Sequence, residues 1–348
     1  MPNSPSSAGF SMPAEWSPHE RTWMAFPTAN ATFGDAPDGH LHDSRTAWAA
    51  VANTIARYEP VTMITNPDDR PAAERYLDPA VTVTERAIDD AWLRDSGPTF
   101  LTDGNGRLAT ANWVFNGWGQ SPVARWDHDQ LIGREIAELA GATPYTSRMV
   151  NEGGGIHVDG QGTVLVTETI QLDPLRNPGW TRDEVEAELR AYLGIRKVIW
   201  LPRGLTADYT IHGTKGHVDL LAAFAAPGLV VAHTQPDPAH PDHEISAANV
   251  ALLRASTDAH GRPLEVVELP APTILEIDGK PVDYSYVNHY LANGLALLCG
   301  FDDPRDQETA AIFGRLFPER RIEIVDARGI FANGGGIHCI TQQQPRSR

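Results

Sequence analysis

Two cysteines occur in the 348 residues, and they sit in opposite surroundings. Cys299 falls in the apolar run Leu295-Ala-Leu-Leu-Cys-Gly and reads as a buried strand residue, a small hydrophobe. Cys339 ends the segment Gly334-Gly-Gly-Ile-His-Cys339, where a glycine run lets backbone come close to whatever the thiol meets. Three other loops carry polar residues of matching use. Asp95 lies in Trp92-Leu-Arg-Asp95-Ser-Gly-Pro, Glu152 precedes Gly153-Gly-Gly, and Thr214-Lys-Gly-His217-Val-Asp219 spaces its His and Asp two apart. On a strand that spacing points both side chains to one face.

A thiol, an imidazole and three carboxylates are the parts needed to hydrolyse a guanidinium. The carbon of that planar cation is deactivated by resonance, and a thiolate attacks it better than water does, splitting one hard step into two easier ones. Carboxylates match its N–H array with paired, charge-assisted hydrogen bonds. A histidine must protonate the departing ammonia and then deprotonate the incoming water. Without a cation present, converging carboxylates would raise one another's pKa and that of the thiol. A bound guanidinium and protonated His217 would reverse this, so Cys339 is expected to react poorly with alkylating agents until substrate arrives.

These residues are far apart in the chain, so the elements between them must bring them together. Helical periodicity covers Ser44–Tyr58, Ala124–Leu139, Arg182–Leu193, Glu244–Arg254 and Arg305–Leu316. Strand-like runs fall at Val61–Ile64, Val81–Thr84, Leu108–Val114, Thr163–Thr167, Val198–Leu201, Leu229–Val231, Leu264–Leu269, Leu295–Leu298 and Arg321–Val325. Strands alternating with single helices, without a Ser/Gly-rich linker, predict one mixed α/β domain over 11–345. Residues 1–10 read as a disordered, frayed arm. Asp89 and Asp90 are expected to be solvated, and His157 and His338 to face away from the site.

An internal echo suggests repetition. Gly153-Gly-Gly-Ile-His157 recurs as Gly334-Gly-Gly-Ile-His338, offset by 181 residues. Asp95, Glu152, His217, Asn288 and Cys339 follow one another at gaps of 51 to 71 residues. Five units of that size arranged in a ring would bring one loop from each to a shared centre.

Composition excludes several classes. A net charge of -17 repels phosphate backbones and argues against nucleic acid as a partner, while it favours the approach of small cations. No run is apolar for long enough to span a bilayer, and the first ten residues lack the features of a secretory signal, so no membrane partner and a cytoplasmic place are expected. Two cysteines are too few for a disulfide framework or a Cys-rich zinc site.

The ordered set Met12-Pro-Ala-Glu-Trp16, Trp92-Leu-Arg-Asp-Ser-Gly-Pro-Thr-Phe100, Phe115-Asn-Gly-Trp-Gly119, Glu152 to Gly160, Gly216-His-Val-Asp219, Ser285 to Tyr290 and Gly334 to Gln343 resembles the agmatine deiminases within the Porphyromonas-type peptidylarginine deiminases. The resemblance covers roughly residues 11–345. It implies the pentein fold, a five-bladed α/β propeller of ββαβ-type units with pseudo-fivefold symmetry. It implies Cys339 as the nucleophile that forms a covalent amidino-thioether, His217 as acid and base, and Glu152 orienting His217 or holding substrate. Asp95 and Asp219 would bind the guanidinium, with Trp92, Trp118 and Gly334 at the substrate. The implied reaction converts agmatine to N-carbamoylputrescine and ammonia, without metal or organic cofactor, in a dimer or tetramer. Leu220, His289 and the stretch Asp173-Pro-Leu-Arg-Asn-Pro178 depart from the family pattern and touch, at most, the far end of the pocket.

Rival readings stay open at this level. A peptidylarginine or free-arginine deiminase would need an arginine for the substrate carboxylate, with Arg94, Arg176 and Arg203 as candidates. An amidinotransferase would pass the amidino group to an amine. A metallohydrolase would draw on His212, His217, Asp219 and His338, at spacings that match no familiar zinc site. A cation-binding protein would use the acidic pocket without turnover.

Overall fold

The computed structural model describes residues 4–34, 39–210, 213–274, 276–277 and 279–347. In chain order its main elements are β1 (His19–Ala25), α1 (Gly39–Ile55), β2 (Val61–Thr65), β3 (Thr82–Glu85), β4 (Thr99–Thr102), β5 (Leu108–Val114), α2 (Asp129–Leu139) and β6 (Thr143–Val150). There follow β7 (His157–Val158), β8 (Thr163–Thr167), α3 (Arg182–Leu193), β9 (Lys197–Leu201), β10 (Ala222–Ala226), β11 (Leu229–Thr234), α4 (Asp242–Ala255) and β12 (Glu265–Pro270). A small hairpin, β13 (Glu276–Ile277) and β14 (Lys280–Pro281), precedes β15 (Tyr290–Ala292), β16 (Leu295–Gly300), α5 (Arg305–Leu316), β17 (Arg321–Asp326) and β18 (Gln342–Pro345).

One pattern recurs through these elements. In β4-β5-β6, β7-β8-β9, β10-β11-β12 and β15-β16-β17, a first strand pairs antiparallel with the second, and the second pairs parallel with the third. Parallel neighbours need a crossover, and α2, α3, α4 and α5 supply it. The four-stranded sheet β18-β1-β2-β3 repeats the order with its first strand taken from the other end of the chain, and adds β3 parallel to β2. Trp23 pairs with Gln342 in that ladder, and its Nε1 donates to Gln344 Oε1 at 3.0 Å, so the C-terminal strand closes onto the N-terminal one.

Local chemistry explains the best-defined elements. Thr181 caps α3 reciprocally with Glu184, and Gly194 ends it in the left-handed region at φ 68°. The middle strands β8 and β16 are buried along their whole length, which accounts for the apolar runs Val164-Leu-Val166 and Leu295-Ala-Leu-Leu-Cys299 within them. The nine expected strands are all present, and the expected bounds of α3 and α5 match the observed ones.

Several expectations are corrected. Residues 4–10 are packed: Ser6–Ala8 forms a turn, and Phe10 joins the core of Met12, Val164 and Leu189, where a free arm would leave an aromatic in water. Residues 1–3 of that arm lie outside the described residues. The second helix begins at Asp129, after Trp126 has packed beneath Gly117. Asp90 is buried, and its carboxylate accepts from Thr32 Oγ1 at 2.8 Å and from the Ala91 amide at 2.8 Å. His217 and Asp219 are not on a strand: Val218–Leu220 is a 3₁₀ turn with His217 at its start.

Candidate active site

Five short segments each lie immediately before the first strand of a sheet. They are the turn Leu93–Ser96 before β4, Gly153–Gly155 before β7, Val218–Leu220 before β10, Asn288 before β15 and His338–Ile340 before β18. Hydrogen bonds join them in a ring. The Gly154 amide donates to Asp95 Oδ1 at 3.0 Å, and His217 Nε2 meets Glu152 Oε2 at 3.3 Å. Asn288 Nδ2 lies 3.4 Å from the Asp219 carbonyl, the His338 amide donates to Asn288 Oδ1 at 3.0 Å, and Arg94 Nε donates to the His338 carbonyl at 3.2 Å. Residues scattered over the chain thus meet at one place.

Gly154 measures how tightly. A methyl group built there would lie 2.5 Å from His217 Nδ1 and 3.0 Å from both Asp219 Oδ2 and Asp95 Oδ1. Only a residue without a side chain lets the backbone pass beneath three functional groups at once. Cys339 Sγ is 3.6 Å from Asp219 Oδ2 and accepts from Asn288 Nδ2 at 3.3 Å. Asp95 uses its second oxygen to accept from the Trp118 indole at 2.9 Å. Trp118 itself has φ 56°, inside a stretch from Gly117 to Gln120 that is left-handed throughout. A non-glycine residue there costs about 1–2 kcal/mol. Its indole bond to Asp95 and its edge-on contact with Phe115 hold it in place.

Glu152 is fully buried and shares both oxygens with Arg176 Nε, at 2.9 and 3.0 Å. Arg176 is also bound to Asp173 Oδ2 at 2.8 Å and to the Thr214 carbonyl at 2.9 Å. Two polar atoms at the centre have no hydrogen-bond partner among the described residues: His217 Nδ1, which has Asp95 Oδ1 at 3.9 Å, and Asp219 Oδ1. Buried polar atoms are rarely left so, and the cost of desolvation is recovered when a ligand supplies the missing bond.

The electrostatics follow from this crowding. Burial works against a charge on His217, yet Asp95, Glu152 and Asp219 raise its pKa to about 9. Burial likewise opposes ionisation of Glu152, but Arg176 and His217 hold it down to about 2. Asp95 is raised by burial and by Asp219 and Glu152. Burial, then Asp219 and Asp95, push the Cys339 thiol well above its ordinary range, and the Gly336 and Asn288 donors only partly offset them.

Above the thiol opens a cleft with about 480 Å³ of empty space, counting its mouth. Trp92, Asp95, Trp118, Gly334 and Cys339 line it, together with Thr32, Ser121, Val123, Ala124, Gly213, Thr214 and Asn333. Among the described residues no lysine or arginine lines it. Of the three arginines considered for a substrate carboxylate, Arg94 and Arg176 are buried and bonded elsewhere, and Arg203 is exposed with its guanidinium over Tyr209.

The candidate catalytic and substrate-binding residues come together: Cys339, Asp95, Trp92, Trp118 and Gly334 line the cleft, Asp219 adjoins Cys339, and His217 meets Asp219 and Asp95 around Gly154 with Glu152 behind it. His338 was expected to face away and does not: its Nδ1 meets Asp219 Oδ2 at 2.8 Å. His157 stays off the cleft and accepts from the Phe224 amide. Glu15, which carried no expectation, lies behind His338. Its position in Met12-Pro-Ala-Glu-Trp16 was the only signal available. His212 lies outside the described residues. Of the three departures, Leu220 and His289 are core residues, while the third reaches the chemistry after all: Asp173 sits under the Trp118 turn and Arg176 holds Glu152.

The chain resembles known proteins in sequence and in fold. Residues 11–345 match the model of the Porphyromonas-type peptidyl-arginine deiminases. The chain is 62% identical to a putative agmatine deiminase of Streptomyces avermitilis, covering 99% of this chain and 100% of that one. It is 40% identical to the agmatine deiminase of Pseudomonas aeruginosa, covering 99% and 98%. Its structure resembles that of the agmatine deiminase of Enterococcus faecalis, with a TM-score of 0.92 and 32% identity over 99% of this chain and 98% of that one.

Proposed function

The chain belongs to the Porphyromonas-type peptidyl-arginine deiminase family, and from that premise we propose that it is an agmatine deiminase, hydrolysing agmatine to N-carbamoylputrescine and ammonia. The observation that carries the reading is the pair of buried atoms without a hydrogen-bond partner among the described residues, His217 Nδ1 and Asp219 Oδ1, the latter on the carboxylate whose other oxygen lies 3.6 Å from the Cys339 thiol. One is an acceptor awaiting an N–H donor, the other a nitrogen free to exchange a proton with a reacting atom. A guanidinium, which can only donate, satisfies the acceptor, and the nitrogen that leaves it takes its proton from the imidazole.

In this reading the guanidinium lies between Asp95 and Asp219, with Trp92 and Trp118 on the walls. Its charge, with that of His217, offsets the carboxylates and favours the Cys339 thiolate. Sγ bonds to the guanidine carbon. The C–N bond to one terminal nitrogen then breaks, and that nitrogen leaves as ammonia with a proton from His217. Neutral His217 next takes a proton from water as the oxygen bonds to the same carbon. The C–S bond breaks as the hydroxyl proton passes to solvent, returning the thiolate and the protonated His217 and leaving the carbonyl of the urea product. Glu152, held by Arg176, orients His217 and is not a substrate contact.

Agmatine is favoured over arginine because the described walls of the cleft offer no cation for an α-carboxylate. The repeated sheet order and the hydrogen-bonded ring support reading residues 11–345 as one pentein domain, a five-bladed propeller around the site. The same reading carries a dimer or tetramer in the cytoplasm, the former open to light scattering.

Intact-protein mass spectrometry during turnover of agmatine tests the mechanism. The expected result is an adduct on Cys339 with the mass of agmatine less ammonia, absent in Cys339→Ser. Comparing kcat/KM for agmatine, arginine and an arginine-containing peptide tests the substrate. Full turnover by Cys339→Ser would refute the mechanism, and preference for arginine would refute the substrate.

A further inference from the structure

A buried polar cluster adjoins the site and has no role in the steps above. Glu15, only 3% exposed, sits between the two copies of the Gly-Gly-Gly-Ile-His motif. Its Oε1 is 2.9 Å from His338 Nε2, and its Oε2 is 3.5 Å from His157 Nε2. The two imidazoles lie side by side, with centroids 6.3 Å apart. Arg94 Nη1 approaches Glu15 Oε1 at 3.5 Å. His157 turns its other nitrogen to a backbone amide, that of Phe224, at 3.2 Å. His338 turns its other nitrogen to Asp219 Oδ2, at 2.8 Å. The echo has therefore diverged: one copy braces the fold, and the other reaches the site.

The hydrogen-bond inventory of His338 decides its charge. A neutral imidazole has one N–H and one lone pair, so between two carboxylates it would aim that lone pair at an anion. Only the imidazolium donates to both. The resulting series is carboxylate, imidazolium, carboxylate, with Arg94 beside the outer member. The trends agree: against the pull of burial, Glu15 is held well below the usual carboxylate range by His338, His157 and Arg94. Asp219, too, is lowered against burial, by His338 first and then by His217 and Arg94.

We propose that Glu15 and His338 are a positioning pair for Asp219, fixing its carboxylate through Oδ2 so that Oδ1 alone is presented to the guanidinium. The inference rests on the guanidine-hydrolase reading for its kinetic consequence but not for its charge pattern. Glu15 holds the second proton on His338; His338 fixes the rotation of Asp219. Neither touches substrate. A carboxylate free to rotate about its terminal torsion would meet the cation in several poses, and misplacements of about 1 Å cost on the order of a hundredfold in rate.

Two variants of His338 separate positioning from packing. In His338→Asn the amide nitrogen takes roughly the place of Nδ1 and still donates to Asp219. In His338→Gln it takes roughly the place of Nε2 and donates to Glu15 instead. With kcat and KM measured per titrated thiol, His338→Asn is expected to stay within about fivefold of wild type. His338→Gln should lose about thirtyfold or more in kcat/KM, with KM raised. Equal losses, or better activity in His338→Gln, would overturn the proposal. Independently of turnover, ¹⁵N NMR should find His338 doubly protonated in wild type at pH 8 and singly protonated in Glu15→Gln. A neutral ring in wild type, or an unchanged one in Glu15→Gln, would overturn it as well. If wild type hydrolysed no guanidine, the proposed function would fail, and the ¹⁵N spectra would still decide the pair.

Discussion

Replacing Asp219 by asparagine should abolish turnover and at the same time make the thiol more reactive. Asp219 Oδ2 lies 3.6 Å from Cys339 Sγ and is, after burial, the largest influence raising the thiol pKa. Two unit charges at that separation repel by roughly 4–5 kcal/mol at an effective dielectric of about 20. His338 donates to the same oxygen, so we take about half of that repulsion, near 2 kcal/mol, as removable, corresponding to roughly thirtyfold more thiolate at fixed pH. A less basic thiolate is a weaker nucleophile, which returns about half of the gain on a logarithmic scale. The net expectation is alkylation by iodoacetamide about five- to tenfold faster in Asp219→Asn than in wild type between pH 7 and 8.5. Turnover of agmatine should fall by about a hundredfold or more, since the unpartnered Oδ1 is lost as an acceptor of a charged donor. The assay follows carboxamidomethylation of Cys339 by intact mass, with Cys299, a fully buried strand residue, as the internal control. Alkylation of the variant at or below the wild-type rate would show that Asp219 does not govern the thiol, and the electrostatic account of this site would be wrong.

Two further outcomes follow from the same geometry. In Glu152→Gln, His217 loses the carboxylate 3.3 Å from its Nε2, so its titration midpoint should fall from about 9 by roughly one unit or more, with Asp173 still holding Arg176. A ¹³C or ¹⁵N titration of His217 measures this; an unmoved midpoint would assign the raised value to Asp95 and Asp219 alone. Gly154→Ala places a methyl group 2.5 Å from His217 Nδ1, and about a hundredfold loss in kcat/KM is expected in a protein that still folds. Near-wild-type activity would mean that the loop yields freely.

Much of this site is written in residue types. A thiol after a glycine run, an imidazole two residues from a carboxylate, and acids at two further loops define the chemistry, because only certain side chains can carry it. The helices were legible where caps mark their ends, as Thr181 and Gly194 do for α3. The strands found from sequence are middle and outer ones, whose buried or alternating side chains give a periodic signal. None of the five first strands was found. β7 has two residues and β15 three, too short for any period to register, and β10 is largely alanine. Those are the strands that immediately follow the site loops.

What only the tertiary structure decided is which groups become partners. Glu15 and His338 are 323 residues apart, and His338 and Asp219 are 119 apart. No local pattern encodes such pairings, so His338 looked like a residue facing away, Asp90 like a solvated charge, and the first residues like a free arm. The chain specifies side chains and local conformation. Charge state, orientation and burial depend on neighbours that come into contact only when the sheets assemble and the last strand closes onto the first.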